Sequence, residues 1–503
     1  MREFGGTNAG VKREPELALV PRFRFQLPAK QRSIPPVNRI VGLETEYGCL
    51  SDDPAGPQAA VGRIRNWVFD QGHYGLADLH QRDWDEPAGN GGFLFNGGRC
   101  YVDMGHLEFC TPECLSLRDL ILYDRAGDVL IANALKAEGL ESQVTFIRNN
   151  IDYYSGATFG CHENYLVRRS APLTEGNVQS LLTFLTLRMV YCGAGRVRAS
   201  STAEARMESI AGWHDSDFQI SQRADYINND LFEWVQFNRA IINTRDEPLA
   251  DPRKYRRLHL LHGDSSVLPA TLALKIGTTA LVLDLLEIDK LPQRALADAV
   301  LTFRTLSHDV DGPWMTPLAD GSCVSVLETL LEYQALAEQE FRYRDDETNA
   351  VLDLWESTMT ALETGSDSLI GVVDWITKRW LFEQFVAAEG LKWDHPWLQA
   401  QDLEFHSVSF GRNIGLPLAK TPAAFDLTDE QLATALDAPP ANTRAAARSQ
   451  VMRSLVDQRS RYFVDWEVID AEGVNSLNLL DPFDPEPRGF ATWFRRLKAA
   501  NEF

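Results

Sequence analysis

The sequence predicts a globular protein built of both strands and helices, and three observations carry that prediction. The 503 residues are 44% hydrophobic and 24% charged, ordinary proportions for a packed protein. Two runs before residue 110 alternate polar and apolar side chains with a period of two, as half-buried strands do. After residue 116 the chain carries a succession of stretches with helical spacing and recognisable caps. The length suggests about three domains, or one large domain with a small appendage. A core of that size holds without disulfide staples.

Taken in order, residues 1–38 mix Gly, Pro, Arg and Glu without a period and are expected to form a mobile N-terminal extension. The first ordered element is expected at Asn38–Tyr47, a β-rich run in which Glu44 and Glu46 lie two apart and share one face. A helix is predicted near Val61–Phe69. A Gly-rich passage, Gly89-Asn90-Gly91-Gly92 and then Asn96-Gly97-Gly98, leads into Arg99–Phe109, the clearest alternation in the chain. Arg99, Tyr101 and Asp103 fall on one side, and Cys100, Val102 and Met104 on the other. That pattern predicts a half-buried strand with a reactive open face. Ser116 is placed to cap a helix reaching about Glu138, with Asp119 three residues on as in a capping box. Further helices are predicted near Val178–Tyr191, Pro269–Leu286, Val324–Arg342, Glu347–Glu363 and Asp374–Ala388. The run Asp426–Glu430 opens a helix after a Pro/Ala-rich stretch and marks the expected boundary between a large domain, 39–425, and a small C-terminal one, 426–503.

Charge narrows the partners. Lys and Arg number 49 against 71 Asp and Glu, a formal charge of −22. Affinity for nucleic acid and for anionic membrane surfaces comes from cationic side chains, so neither is an expected partner. The seven cysteines form no CxxC and no zinc-site spacing, and are expected to be free thiols in a reducing cytoplasm. The start, Met1-Arg2-Glu3-Phe4-Gly5-Gly6, has no apolar stretch of signal-peptide type, and no window reaches about 18 consecutive apolar residues.

Common catalytic motifs are absent. There is no P-loop and no Gly-x-Ser-x-Gly elbow; Gly193-Ala194-Gly195-Arg196-Val197-Arg198 has Arg198 where a dinucleotide loop needs its third glycine. His162-Glu163-Asn164-Tyr165-Leu166 lacks the second histidine of a zincin helix. What remains is rich in oxygen donors. If the two strands are neighbours, Glu44 and Glu46 meet Tyr101, Asp103 and Glu108 over a small area. Carboxylates so close cannot all stay ionised without compensation, and dense oxygen donors are what Mg²⁺ selects. A single Glu is more often a solvated surface residue; the alternation in both runs, with Arg99 and Tyr101 among the carboxylates, favours a site. His162 and His259 are weaker signals, since a lone His is more often a hydrogen-bonded structural residue. Arg245–Arg257 is a basic cluster in an acidic chain, either a set of surface ion pairs or a patch for phosphates or an acidic partner.

Longer motifs carry a resemblance. Gly42-Leu43-Glu44-Thr45-Glu46-Tyr47-Gly48, Asn96-Gly97-Gly98-Arg99-Cys100-Tyr101-Val102-Asp103 and Phe159-Gly160-Cys161-His162-Glu163-Asn164-Tyr165-Leu166 resemble the family of Pup ligases and Pup deamidase/depupylases. Ser221-Gln222-Arg223-Ala224, Ile242–Pro248, Tyr255–His259, Lys275–Thr278, Ser307–Val310 and Val464-Asp465-Trp466 extend the match, which runs from about 39 to about 485. The resemblance implies an α+β fold related to glutamine synthetase: a curved, largely antiparallel sheet packed with helices, plus a small C-terminal domain. It also implies Glu44, Tyr101 and Glu108 as Mg²⁺ ligands, with His162 and His259 as further metal-site residues. Arg99, Thr111 and Trp466 fall on ATP-contacting positions, and Asp103 on the catalytic aspartate.

The implied activity is that of an ATP-dependent isopeptide ligase in pupylation. It joins the C-terminal glutamate of a small Pup-like modifier, through a γ-glutamyl phosphate, to lysines of target proteins. The alternative is the deamidase/depupylase, which hydrolyses the modifier's C-terminal glutamine or the isopeptide bond. Glu44-Thr45-Glu46, Cys161, Asp481-Pro482-Phe483 and the 59-residue interval from Glu44 to Asp103 resemble the ligase. Thr111-Pro112-Glu113-Cys114, Gly277-Thr278-Thr279-Ala280 and Trp393-Asp394 resemble the deamidase. The family's modifier is acidic, so a local basic groove is expected at Arg196, Arg198, Arg253, Lys254, Arg256 and Arg257.

Overall fold

Strand β1, Val41–Ser51, runs through the middle of the main sheet, and its alternation decides what each face does. Val41, Leu43, Thr45 and Tyr47 are buried on one side, while Gly42, Glu44 and Glu46 stay half-buried on the other. The computed structural model describes residues 39–84, 86–153, 157–198, 216–233, 239–456 and 461–500. The expected N-terminal extension, 1–38, lies outside them.

The other strands follow as β2 (Gly75–Ala77), β3 (Gly91–Leu94), β4 (Arg99–Asp103), β5 (His106–Cys110), β6 (Val144–Ile147) and β7 (Cys161–Arg168). A small ribbon, β8 (Arg196–Val197) with β9 (Phe218–Gln219), precedes β10 (Asn229–Phe232), β11 (Ala240–Asn243) and β12 (Tyr255–Leu260). The main sheet has the order β10-β11-β12-β7-β1-β5-β4-β3-β2, and β6 pairs with the far end of β1. Every pairing is antiparallel except β10 with β11.

The run Arg99–Phe109 is not the single strand that its alternation predicts. Met104 and Gly105 both take positive φ, 46° and 92°, and turn the chain back as a two-residue hairpin requires. The reversal brings Glu108 directly opposite Tyr101 instead of further along the same strand.

Helices cover the apolar face. Leu117–Ala137 begins where expected, the Ser116 side chain accepting the Asp119 amide. It packs with Pro269–Glu287, Val326–Phe341 and Asp346–Thr364 against Val41, Leu43, Tyr165 and Val167. Each Leu or Phe fully buried there stabilises the fold by about 1.5–3 kcal/mol. Pro269–Glu287 is long and apolar enough to cross a membrane, but 89% of its most apolar window is buried inside the protein, as in a core helix. The helix predicted at Val178–Tyr191 divides into Glu175–Leu187 and Met189–Cys192. The one near Val61 becomes Pro57–Asn66 followed by a wider turn at Trp67–Gln71.

At the C-terminal end, a helix at Ala445–Leu455, a three-stranded sheet and a helix at Phe490–Ala500 share their own apolar cluster, into which Phe93 and Phe95 insert. The sheet's strands are Tyr462–Val464, Val468–Ala471 and Leu477–Asn478. The described residues all belong to one compact unit. The seven cysteines are unpaired thiols, with Cys49 half-buried, Cys323 exposed and the rest buried.

Candidate active site

Register builds the site. Glu46 lies opposite Glu108, and Glu108 opposite Tyr101, so one row of side chains crosses β1, β5 and β4. A second row sets Glu44 against Cys110 and Cys110 against Arg99, and on its other side Glu44 faces His162 of β7. The strands bearing Glu44 and Asp103 are therefore not direct neighbours, since β5 lies between them. The convergence holds even so. Glu46, Asp103 and Glu108 each offer an oxygen, and the three lie within 4.8 Å of one another. Ligand atoms of Glu44, His162 and His259 form a second group of the same size.

The electrostatics of the two groups differ. Burial and repulsion from Glu44 and Glu46 push the Glu108 carboxyl well above its usual range, against a 2.5 Å hydrogen bond from Tyr101. Burial disfavours ionisation of Glu44 as well, yet His259 and His162 override it and hold that carboxyl well below its usual range. His162 Nδ1 lies 3.1 Å from one Glu44 oxygen, and Asn164 donates to the other at 3.1 Å. Burial is the largest influence on His259 and pushes it down to about 4, against the attraction of Glu44. Its Nε2 stands 3.5 Å from Glu44, but neither ring nitrogen makes a hydrogen bond of good geometry. Two opposed carboxylates with a third beside them are an oxygen donor set that fits a hard divalent cation, and in the second group His162 and His259 add borderline nitrogen donors beside Glu44.

Gly160 makes the crowding feasible. A side-chain carbon there would fall 2.6 Å from both Glu46 and the His162 ring, and the Gly160 carbonyl accepts the Glu46 amide.

Beside these groups opens a pocket with a cavity volume of about 160 Å³. Glu44, Arg99, Tyr101, Thr111 and Trp466 all line it, together with Arg257, Pro248 and Leu249. Asp103, Glu108, His162 and His259 stand in the neighbouring clusters and not in the pocket wall. Arg99 is fixed by Asp78 and Glu86, each 2.9 Å from its Nη2, and its guanidinium lies 4.2 Å from the centre of the Tyr101 ring. Thr111 Oγ1 accepts the Leu43 amide at 3.0 Å.

Several site residues had no role in the sequence reading. Asn164 follows His162 by two on one strand, a period that could have found it. Arg257, expected in a modifier groove, instead turns into the pocket and lies 3.7 Å from Glu44. Arg196 is corrected outright: it is buried and paired with Asp225 at 2.9 Å, so it cannot face a modifier. Arg253 and Lys254 remain exposed.

Residues 39–470 match the model of the Pup-ligase protein family. The chain belongs to that family. A Pup–protein ligase of Nakamurella multipartita is 33% identical over 461 residues, covering 88% of this chain and 96% of its own. A depupylase of Acidothermus cellulolyticus is 34% identical over 487 residues, covering 89% and 94%. Among solved structures, the Pup ligase PafA in complex with Pup is similar at a TM-score of 0.78 and 31% identity, over 92% of this chain and 93% of that one. PafA in complex with ADP is similar at 0.73 and 31%, over 82% and 91%. Pup-ligase family membership thus rests on near full-length similarity, and the five pocket residues given metal or ATP roles from the sequence all fall inside the matched range.

Proposed function

We propose that this chain is an ATP- and Mg²⁺-dependent ligase that joins a Pup-like modifier to lysines of target proteins in the cytoplasm. One observation carries the reading: Glu44, the Arg99–Thr111 segment (Arg99, Tyr101 and Thr111) and the distant Trp466 line a single pocket beside the Glu46–Asp103–Glu108 cluster. The ligase relative and the PafA structures support it.

A carboxylate is a poor acyl donor, so ATP first phosphorylates the γ-carboxylate of the modifier's C-terminal glutamate. The pocket takes ATP, with Trp466, Pro248 and Leu249 as its apolar wall and Arg99 as a fixed fork of donors toward the phosphates. Glu44, Tyr101 and Glu108, with His162 and His259 beside Glu44, are the residues that would hold Mg²⁺, which when bound supplies positive charge to the phosphates. A target lysine then attacks the γ-carbonyl carbon of the acyl phosphate, the bond from that carbon to the phosphate oxygen breaks, inorganic phosphate leaves, and Asp103 accepts the lysine proton. With reference pKa values of about 10.4 for Lys and about 3.9 for Asp, that transfer is uphill by roughly 9 kcal/mol in water. Asp103 therefore takes the proton as the C–N bond forms, or from a lysine whose pKa the site has lowered. We assign 426–503 as a C-terminal domain that contributes Trp466 to this pocket.

The test is incubation with a modifier ending in Glu, a lysine acceptor and ATP. Conjugate formed with matching ADP release is the expected result. Cleavage of a pre-formed conjugate without that stoichiometry would overturn it in favour of the depupylase.

A further inference from the structure

Trp466 comes from the turn between two strands of the C-terminal sheet, yet with Arg444 it lines a pocket built mainly on the large sheet and its adjoining loops. Its indole is held from two sides. Phe93 of β3 meets it edge-on at 4.9 Å, and the Arg448 guanidinium lies 4.9 Å from the ring centre. Arg448 is fully buried on the helix Ala445–Leu455. Its Nη1 donates to the Trp466 carbonyl at 3.2 Å and to Glu113 at 3.0 Å; its Nη2 donates to the Gly97 carbonyl at 2.7 Å and to Glu113 at 2.6 Å. Glu113 lies in the pocket wall and also accepts from Arg444 Nε at 2.6 Å. One guanidinium thus ties together the β3–β4 turn, the segment after β5 and the Trp466 loop. The fit is close: Gly97 has φ 89°, and a side-chain carbon there would fall 2.7 Å from the Ala445 methyl.

We propose that Arg448, anchored by Glu113, is a positioning residue that sets the Trp466 indole against the nucleotide pocket and so links ATP affinity to docking of the C-terminal segment. The inference rests on the reading of that pocket as the nucleotide site. Arg448 acts through Trp466 and touches no reacting atom. Lysine at this position keeps the charge but not the planar fork, so it cannot hold Gly97, Glu113 and Trp466 at once.

The experiment titrates ADP into the unmodified chain, Arg448→Lys, Trp466→Ala and the double variant by calorimetry, with thermal unfolding alongside. Arg448→Lys and Trp466→Ala should each weaken ADP binding about tenfold, and the double variant should be no weaker than Trp466→Ala, because effects passing through one contact do not add. In ligation, Arg448→Lys should raise KM for ATP while kcat stays within about twofold, the mark of lost uniform binding. A lower Tm with unchanged ADP affinity, multiplied losses in the double variant, or a Trp466→Ala variant that binds ADP normally would each overturn the proposal. An unmodified chain that binds ADP but makes no conjugate overturns the ligase reading instead, and the ADP titrations still decide the role of Arg448.

Discussion

Glu108 and Glu163 are buried glutamates on strands either side of β1, and burial has opposite consequences for them. Glu163 points toward the helices, where Arg188 grips both of its oxygens at 2.9 and 2.5 Å and Tyr165 donates at 2.7 Å. Burial pushes that carboxyl up, but Arg188 and Lys275 override it and hold it at about 2. Glu108 points to the opposite face, where Glu44 and Glu46 add to the effect of burial and push it well above its usual range. Its two neighbours in the crowd are also carboxylates, Glu46 and Asp103. On the helix face the chain balances its own charge; on the open face it leaves an excess that a cation and a nucleotide can meet. The flanking residues of Glu163 show how sharp the division is, since His162 and Asn164 turn to Glu44 on the open side.

The largest expected effect tests the open face. Asp103→Asn should lower the single-turnover ligation rate by about 10²–10⁴-fold, the usual range for a general base, with the urea midpoint nearly unchanged. An undiminished rate would remove Asp103 from the chemistry.

The helix face should answer in stability instead. Arg188→Met leaves Glu163 buried without its partner and should cost about 3–5 kcal/mol in urea unfolding. A loss under about 1 kcal/mol would erase the contrast between the two faces.

Acid provides a third reading. Glu163 has a folded value of about 2 against an ordinary 4.5, so it contributes about 3 kcal/mol of stability that is fully present above pH 4.5. That contribution is lost as pH falls from about 4.5 toward 2, and Arg188→Met should abolish this part of the acid dependence. Unfolding midpoints measured between pH 6 and pH 3 for both proteins decide it.

The smallest effect has the opposite sign. Glu108→Gln removes one of two carboxylates that face each other directly and should raise stability by up to about 1 kcal/mol, while ATP-dependent ligation falls. A destabilised Glu108→Gln would mean that the open face holds no excess charge.

Much of this was legible in the sequence, for identifiable reasons. Glu44 and Glu46 share a face because side chains alternate along any strand, and Ser116 caps its helix because the bond reaches only to Asp119. The hairpin at Met104-Gly105 was missed because methionine rarely takes positive φ, so the alternation read straight through the turn. Arg196 was misjudged because an arginine beside glycines gives no hint of Asp225 as a buried partner, 29 residues away.

Local pattern by itself determined which residues could stand together on a strand face, where helices start, and that the chain's oxygen-rich runs fit metal and phosphate chemistry. Those rules act over two to four residues, within reach of one turn or one pleat. Only the tertiary structure decided that β5 separates β1 from β4, that Glu163 and Glu108 are buried to opposite ends, and that Arg448 reaches Glu113 across 335 positions. Such contacts depend on which strands pair and which helices pack behind them, and that is chosen by burial of the whole core and not by any neighbouring residue.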